Sequence, residues 1–156
     1  MAKSTFSGPV VSNNGFISAG SNNVKNITAE ETLTFNDHAG RTIEINDADG
    51  AVTLPSIVSG EIGAKYTFFI GTNASDLDIL TDGTDKFVGS VMVSVDDGAI
   101  KSFVPGATND VISMNGTTTG GIANSYVEVT ALATAEYLVQ GVLIGSGTIA
   151  TPFADS

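Results

Sequence analysis

The chain has 156 residues, 42% of them hydrophobic, and a formal net charge of −11 from 17 acidic and six basic residues. That length makes one domain with room for a real core, and that charge repels nucleic acid and anionic membranes, so neither is an expected partner. Cysteine is absent, which excludes a disulfide framework and a zinc–thiolate centre, and no apolar run is long enough to cross a bilayer as a helix.

Tryptophan is also absent, and charged residues are only 15% of the chain, well under the usual quarter. The core must come mainly from Val, Ile, Leu and Ala, and the polar surface from Thr, Ser and Asn. Eighteen Gly against four Pro fits many tight turns. The opening Met1-Ala2-Lys3-Ser4-Thr5 lacks the apolar run of a secretory signal.

Residues 1–29 are rich in Ser, Asn and Gly, with isolated apolar positions and no helical period. Gly8-Pro9 and Asn14-Gly15 are breaker dipeptides. One reading is a frayed tail; the other is an extended N-terminal arm ordered only against a partner. Large apolar groups favour the arm, because disordered tails are poor in them. Phe6, Pro9, Val10, Phe16 and Ile17 are the candidate partner contacts. Lys3 and Lys25 lie in this segment and no acidic residue precedes Glu30, so the arm is basic and the rest strongly acidic.

From residue 30 to 156 the pattern is that of strands separated by turns. Thr28-Ala29-Glu30-Glu31 has the makings of one helical turn. A short strand is expected over 32–35, then turn chemistry at Asn36-Asp37-His38-Ala39-Gly40. Residues 41–46 alternate, with Ile43 and Ile45 on one face. Asp47-Ala48-Asp49-Gly50 turns the chain into a strand over 51–54, stopped by Pro55. Residues 65–71 put Tyr66, Phe68 and Ile70 on one face; residues 76–80 put Leu77 and Ile79 inward. Asp82-Gly83-Thr84-Asp85 turns again. Residues 86–95 carry Val91, Val93 and Val95 on one face, and Asp96-Asp97-Gly98 signals a hairpin to a strand over 99–104. A strand over 111–114 leads to a Gly/Thr loop over 115–121. Residues 125–131 alternate as a half-buried strand. Residues 136–144 are apolar on both faces except at Gln140 and Gly141, which places them centrally in a sheet. Gly145-Ser146-Gly147 precedes a closing segment over 148–153.

These spacings predict an all-β fold, an antiparallel β-sandwich or jelly-roll-like barrel with an extended N-terminal arm. The absence of an exact repeat argues against a solenoid. The expected core is Ile43, Ile45, Val52, Leu54, Tyr66, Phe68, Ile70, Leu77, Ile79, Val91, Val93, Ile112, Met114, Val127, Val129, Val139 and Leu143. Ile149 and Phe153 stay apolar beyond the last long strand; in a monomer they would be exposed or fold back on the core, and the reading taken is that they help seal a homotrimer.

No catalytic constellation emerges, so no enzyme is expected. His38, the single histidine, sits in a turn where it could pair with Asp37 or Arg41, and a general base needs a nucleophile and an orienting group beside it. Gly145-Ser146-Gly147 lacks the spacing of a nucleophile elbow. Gly116-Thr117-Thr118-Thr119-Gly120-Gly121 is followed by Ile122 rather than the Lys-Ser/Thr of a phosphate loop. The acidic turns at 47–50, 82–85 and 96–98 offer oxygens to calcium, but none has the closing Glu of a helix–loop–helix site, and Asp beside Gly is what any β-turn asks for. Carboxylate pairs for glycoside hydrolysis can lie far apart in sequence, but without tryptophan the usual sugar-stacking platform is missing. No cofactor or metal is expected.

The wording of several segments carries more. Ala2-Lys3-Ser4-Thr5-Phe6-Ser7-Gly8-Pro9-Val10-Val11-Ser12 with Asn14-Gly15-Phe16, then Asp37-His38-Ala39-Gly40-Arg41-Thr42-Ile43 followed by Val52-Thr53-Leu54-Pro55, then Asn115-Gly116-Thr117-Thr118-Thr119-Gly120-Gly121, and finally Gly145-Ser146-Gly147-Thr148 with Ala150-Thr151-Pro152-Phe153 together resemble the head decoration (cement) proteins of tailed bacteriophages. No single segment is specific; the ordered set spans nearly the whole chain. The resemblance implies a structural virion protein, made in the host cytoplasm, that seats on the outer capsid surface, binds the major capsid protein, and is often trimeric. It transfers no active-site residue. The alternative is a head-fibre or tail-associated adhesion module binding host glycan or protein through an aromatic or Asn/Asp-lined groove.

Overall fold

In a computed structural model, residues 8, 12, 19–95 and 98–156 are described. Twelve strands form two sheets: β1 Val24–Ile27, β2 Glu31–Thr32, β3 Arg41–Ile45, β4 Ala51–Thr53, β5 Lys65–Ile70, β6 Leu77–Leu80, β7 Lys86–Val95, β8 Ile100–Phe103, β9 Val111–Met114, β10 Tyr126–Ala133, β11 Glu136–Gly145 and β12 Phe153–Ala154. A seven-stranded sheet runs in the order β1-β3-β5-β10-β11-β7-β8, and a five-stranded sheet in the order β12-β9-β6-β4-β2. The one α-helical turn among the described residues, α1 Phe35–His38, joins β2 to β3.

The expected all-β sandwich is there. Strand alternation decides which side chains fill it: every residue of the expected core is at most 1% exposed. The apolar pattern of β11 also has its reason, since β11 lies between β10 and β7 in the middle of the large sheet. Tyr66 and Tyr137 meet edge to face in the core, with ring centroids 6.4 Å apart.

The pairing is mixed rather than antiparallel throughout. From β1 to β6 the chain alternates sheets at every step. β1, β3 and β5 pair parallel in the large sheet, and β2, β4 and β6 pair parallel in the small one. This half therefore winds as a short coil with no sequence repeat, because its connections differ in length and only the strand cores repeat their chemistry. From β7 onward the usual antiparallel pairs appear: β7 with β8, β10 with β11 and β12 with β9. The exception is β7 with β11, parallel over the full length of both strands.

Two boundaries move. Val24–Ile27, assigned to the arm by sequence, is an edge strand of the large sheet: it pairs with β3 and buries Ile27 at 2% exposure. The β-domain therefore begins before residue 30. The helical turn expected at residues 28–31 lies instead at Phe35–His38, where the His38 N–H reaches the Thr34 carbonyl at 3.1 Å and Thr34, an N-cap residue type, precedes the turn.

Candidate functional site

Strand directions give the sandwich an upper end, where β3, β5, β9 and β11 finish, and a lower end, where β1, β3, β5 and β7 begin. Two loop segments, residues 115–125 and 146–152, meet at the upper end. Ser146 N–H donates to Thr117 C=O and Ala150 N–H to Thr118 C=O, both at 2.9 Å. Asn115 ties the first loop internally: its Oδ1 accepts from Thr117 N–H (2.9 Å), Thr117 Oγ1 (3.0 Å) and Thr119 N–H (3.1 Å). Gly116 has φ 68°, and a Cβ there would strike the Ala74 carbonyl, so the loop lies flush on its neighbour only because that residue is glycine. Ser125, fully buried, donates to Ile122 C=O and accepts from Ile144 N–H.

Neither loop segment contains a charged residue, in a chain of net charge −11. Just below them, the outer face of the large sheet carries an apolar row. Phe69 on β5 pairs with Tyr126 on β10, Tyr126 with Val142 on β11, and Val142 with Met92 on β7. Ile144 and Ile100 belong to the next row. Tyr126, Met92 and Ile100 are 47%, 44% and 60% exposed. Lys101 Nζ donates to Ile149 C=O at 3.3 Å, and Glu44 on β3 continues the row beside Phe69, so the apolar centre is bordered by polar loops with one charge of each sign nearby, a composition protein-binding surfaces share. Hydrogen bonding within the loops holds the rim in place before any partner arrives, which lowers the ordering cost of binding.

The residues expected from sequence to make contacts fall elsewhere. Phe6, Pro9, Val10, Phe16 and Ile17 lie outside the described residues, as do Asp96 and Asp97 of the hairpin turn; the described Gly8 and Ser12 are exposed. Ile149 and Phe153, expected to help seal a trimer, fold back on the core. Each is 7% exposed and belongs to the core of the single chain, because the 146–152 connection folds back over β9, where Ser113 N–H donates to Pro152 C=O at 2.7 Å and Phe153 pairs with Ile112. Their apolar surface is used within the chain. The Tyr126–Met92 row escaped notice in the sequence because alternation marks the inward face; the signal available was Met92 and Tyr126 at outward positions of otherwise polar-faced strands.

The titratable groups are tied into structure. His38 is buried and bonds neither Asp37 nor Arg41: its Nδ1 accepts from Thr34 N–H at 3.0 Å and its Nε2 faces Glu31 Oε1 at 3.1 Å, locking α1 against β2. Asp37 accepts from Thr34 Oγ1, and Arg41 donates to Asn22 C=O. The Asp82 carboxylate accepts from Thr84 N–H, Thr84 Oγ1 and Asp85 N–H. Burial alone would raise its pKa, yet these bonds hold it down at about 2. Asp85 is pushed up, chiefly by burial, while its Oδ2 accepts from Ile57 N–H at 2.9 Å. Burial also pushes the Tyr66 hydroxyl up to about 12, with Glu61 adding to the shift. Each of these groups fixes a turn or fills the core.

At the lower end a cleft of about 470 Å³ opens beside the start of β7, its lining mixing the apolar Val88, Val104 and Pro105 with the polar Lys86, Thr134 and Glu136. It has no Asn or Asp in its lining, and its one aromatic, Phe87, is 1% exposed. No protein-family model matches this chain, and no curated protein or solved structure matches it.

Proposed function

We propose that this protein is a structural virion component that binds the outer surface of a phage capsid and stabilises it as a decoration protein. The ordered set of family-like segments is the source of this reading. The observation that carries it in three dimensions is the upper surface. Two of those segments, 115–121 and 145–153, lie far apart in the chain yet bond to each other there, forming a polar rim without charged residues of its own beside the exposed Tyr126 and Met92. A surface of this kind makes a modest contact that gains strength by repetition over a lattice. The acidic remainder faces solvent and keeps decorated particles apart. The partner is the major capsid protein, and assembly as a trimer on the capsid belongs to the same proposal.

Copy number in purified particles tests the class of function: hundreds of copies per particle fit a decoration protein, and a handful fit a fibre or tail component. Co-sedimentation with undecorated capsids tests the surface. Tyr126→Asp is expected to weaken attachment at least tenfold while leaving stability within about 0.5 kcal/mol, as surface substitutions usually do. Unchanged attachment would remove the upper surface from the contact.

A further inference from the structure

The large sheet ends in an open edge at β8. The β7–β8 ladder pairs Ser94 with Ile100, Met92 with Ser102 and Val91 with Phe103, and at its hairpin end Val95 N–H donates to Ala99 C=O at 3.0 Å. Bonded residues alternate along an antiparallel pair. Lys101 and Phe103 therefore turn their backbone groups to β7, and Ile100 and Ser102 turn theirs away from it. Pro105 biases the preceding Val104 toward extended backbone, which carries the same alternation just past the strand. Among the described residues no hydrogen bond meets the outward groups of Ile100, Ser102 or Val104.

Sheet edges are normally guarded by shortness, by charge or by proline. β2 and β12 are two residues each, and β1 has Lys25 and Asn26 beside Val24. β8 has less protection. Its one charge, Lys101, reaches back to Ile149 C=O at 3.3 Å, and Pro105 stands beyond the open groups. Val104 and Ile100 are 72% and 60% exposed, the two most exposed large apolar side chains among the described residues. By alternation they share the outer face, with Ser102 midway between them.

That spacing is self-complementary. We propose that β8 pairs antiparallel with β8 of a second copy of this chain, about a two-fold axis at Ser102. Ser102 then faces the partner's Ser102, and each Ile100 faces the partner's Val104. The exposed apolar groups cover one another, and the outward N–H and C=O groups of all three residues find partners. An axis at Lys101 would instead set two ammonium groups directly opposite, which is destabilising. Charge selects the same edge. Each copy carries a net −11, but residues 98–109 hold Lys101 and no acidic residue, so two copies approach here without carboxylate meeting carboxylate. A two-fold contact between identical patches closes at a dimer, so the open edge does not grow into a fibre. The outer-face row of Tyr126, Val142 and Met92 continues through Ser102 into the same row of the partner, so one dimer presents two such rows in line.

The pairing belongs to the free protein, so its test needs no capsid, and its failure would leave capsid attachment untouched. Sedimentation equilibrium of the full-length chain should show a dimer at micromolar concentration. Ser102→Pro removes an N–H that points away from β7, a change an edge strand tolerates. Ile100→Asp sets a carboxylate against the partner's Val104 at an already exposed position. Each should weaken association by about tenfold or more, with circular dichroism and thermal midpoint close to wild type. Because the chain has no cysteine, trapping gives a second readout. Opposed residues of a bonded antiparallel pair lie about 5.5 Å apart at Cα, within disulfide reach, so Ser102→Cys should oxidise to a linked dimer. Ser59→Cys, at an exposed position on another part of the surface, should not. A dimer that survives both Ser102→Pro and Ile100→Asp, or equal trapping at residues 102 and 59, would overturn the proposal. So would a monomer, which would leave the edge to an extended segment of another protein.

Discussion

The two halves of this chain build their sheets differently. Residues 24–80 supply β1 to β6, six strands of no more than six residues each, dealt alternately to the two sheets and paired parallel. Residues 86–156 supply β7 to β12, including two ten-residue strands and two hairpins. The halves do not interleave: β1, β3 and β5 occupy one side of the large sheet and β2, β4 and β6 the same side of the small one. They meet at two antiparallel seams, β5 with β10 and β6 with β9. A hairpin's contacts are local, but the second half also rests on the most distant pairings: β7 and β11 pair residues 50 apart in the chain and β9 and β12 residues 41 or 43 apart, against 18 to 27 for the parallel pairs of the coil. Loop closure therefore costs entropy in both halves before pairing is gained. Neither half is self-sufficient by topology, and the seams couple them.

The largest expected effect is at the β5–β10 seam. Phe68 is fully buried and its row runs from Ile43 on β3 to Val127 on β10, touching both halves. Phe68→Ala should cost roughly 3–5 kcal/mol, the usual range for emptying a packed aromatic site, read as a shift in the denaturant midpoint. If the halves unfold together, the slope of the transition stays constant; a lowered slope would show the coil melting first.

Asp110 tests the second half alone. It is 3% exposed and clamps β7 to the end of the chain, accepting from Lys86 Nζ at 2.6 Å and from Ser156 N–H at 2.8 Å. Burial works to raise its pKa, but the Lys86 and Ser156 bonds outweigh burial and leave it lowered. A carboxyl whose folded pKa lies below its unfolded value of about 3.9 contributes stability above that value, and the contribution is lost as pH falls through the folded one. Asp110→Asn should therefore cost about 1–3 kcal/mol at neutral pH, and variant and wild type should converge below about pH 4. A gap that persists unchanged into acid would mean that the clamp is not ionic.

A smaller effect is expected where a single hydroxyl joins the halves. Tyr137 on β11 donates to the Pro55 carbonyl, just past β4, at 2.6 Å. Tyr137→Phe keeps the ring and its packing but leaves that carbonyl unpaired, at a cost of about 1 kcal/mol. Its transition should keep the wild-type slope and shift only in midpoint.

The difference between the halves also explains what could be read from the sequence. Inward positions were legible throughout, because alternation depends only on one strand and its burial, and the hairpin partner of β7 followed from Asp-Gly chemistry and a short connection. Parallel pairing leaves no such mark: the turns after β3 and β5 use the same Asp, Asn and Gly as a hairpin, yet carry the chain across to the other sheet. β1 was missed because one edge strand with a single buried apolar residue, Ile27, beside Lys25 and Asn26 shows no period. For the proposed binding surface, sequence pointed to the arm and to Ile149 and Phe153, and a reader of one strand at a time cannot see that Tyr126, Val142 and Met92 share a row. Their adjacency exists only once β10, β11 and β7 are placed side by side.

The smallest effect is also at the seam, on its solvent side. Lys65 on β5 and Glu128 on β10 form an ion pair at 3.0 Å, and Gln140 Nε2 on β11 also donates to Glu128 Oε1 at 2.9 Å. The Lys65 hydrogen bond is the main reason the Glu128 carboxyl sits below the usual glutamate range, ahead of the opposing effect of burial. Lys65 remains 55% exposed, so water and salt screen the attraction, and holding its long side chain in place costs rotamer entropy. An exposed pair of this kind contributes about 0–1 kcal/mol. Lys65→Met should accordingly lower stability by less than about 1 kcal/mol in low salt, with the loss shrinking as ionic strength rises and as pH falls through the lowered Glu128 value. The Gln140 bond stays in place and keeps Glu128 oriented. A loss as large as that of Phe68→Ala would place the strength of the seam in its charges; the small, salt-sensitive loss expected here places it in the buried row that runs through Phe68.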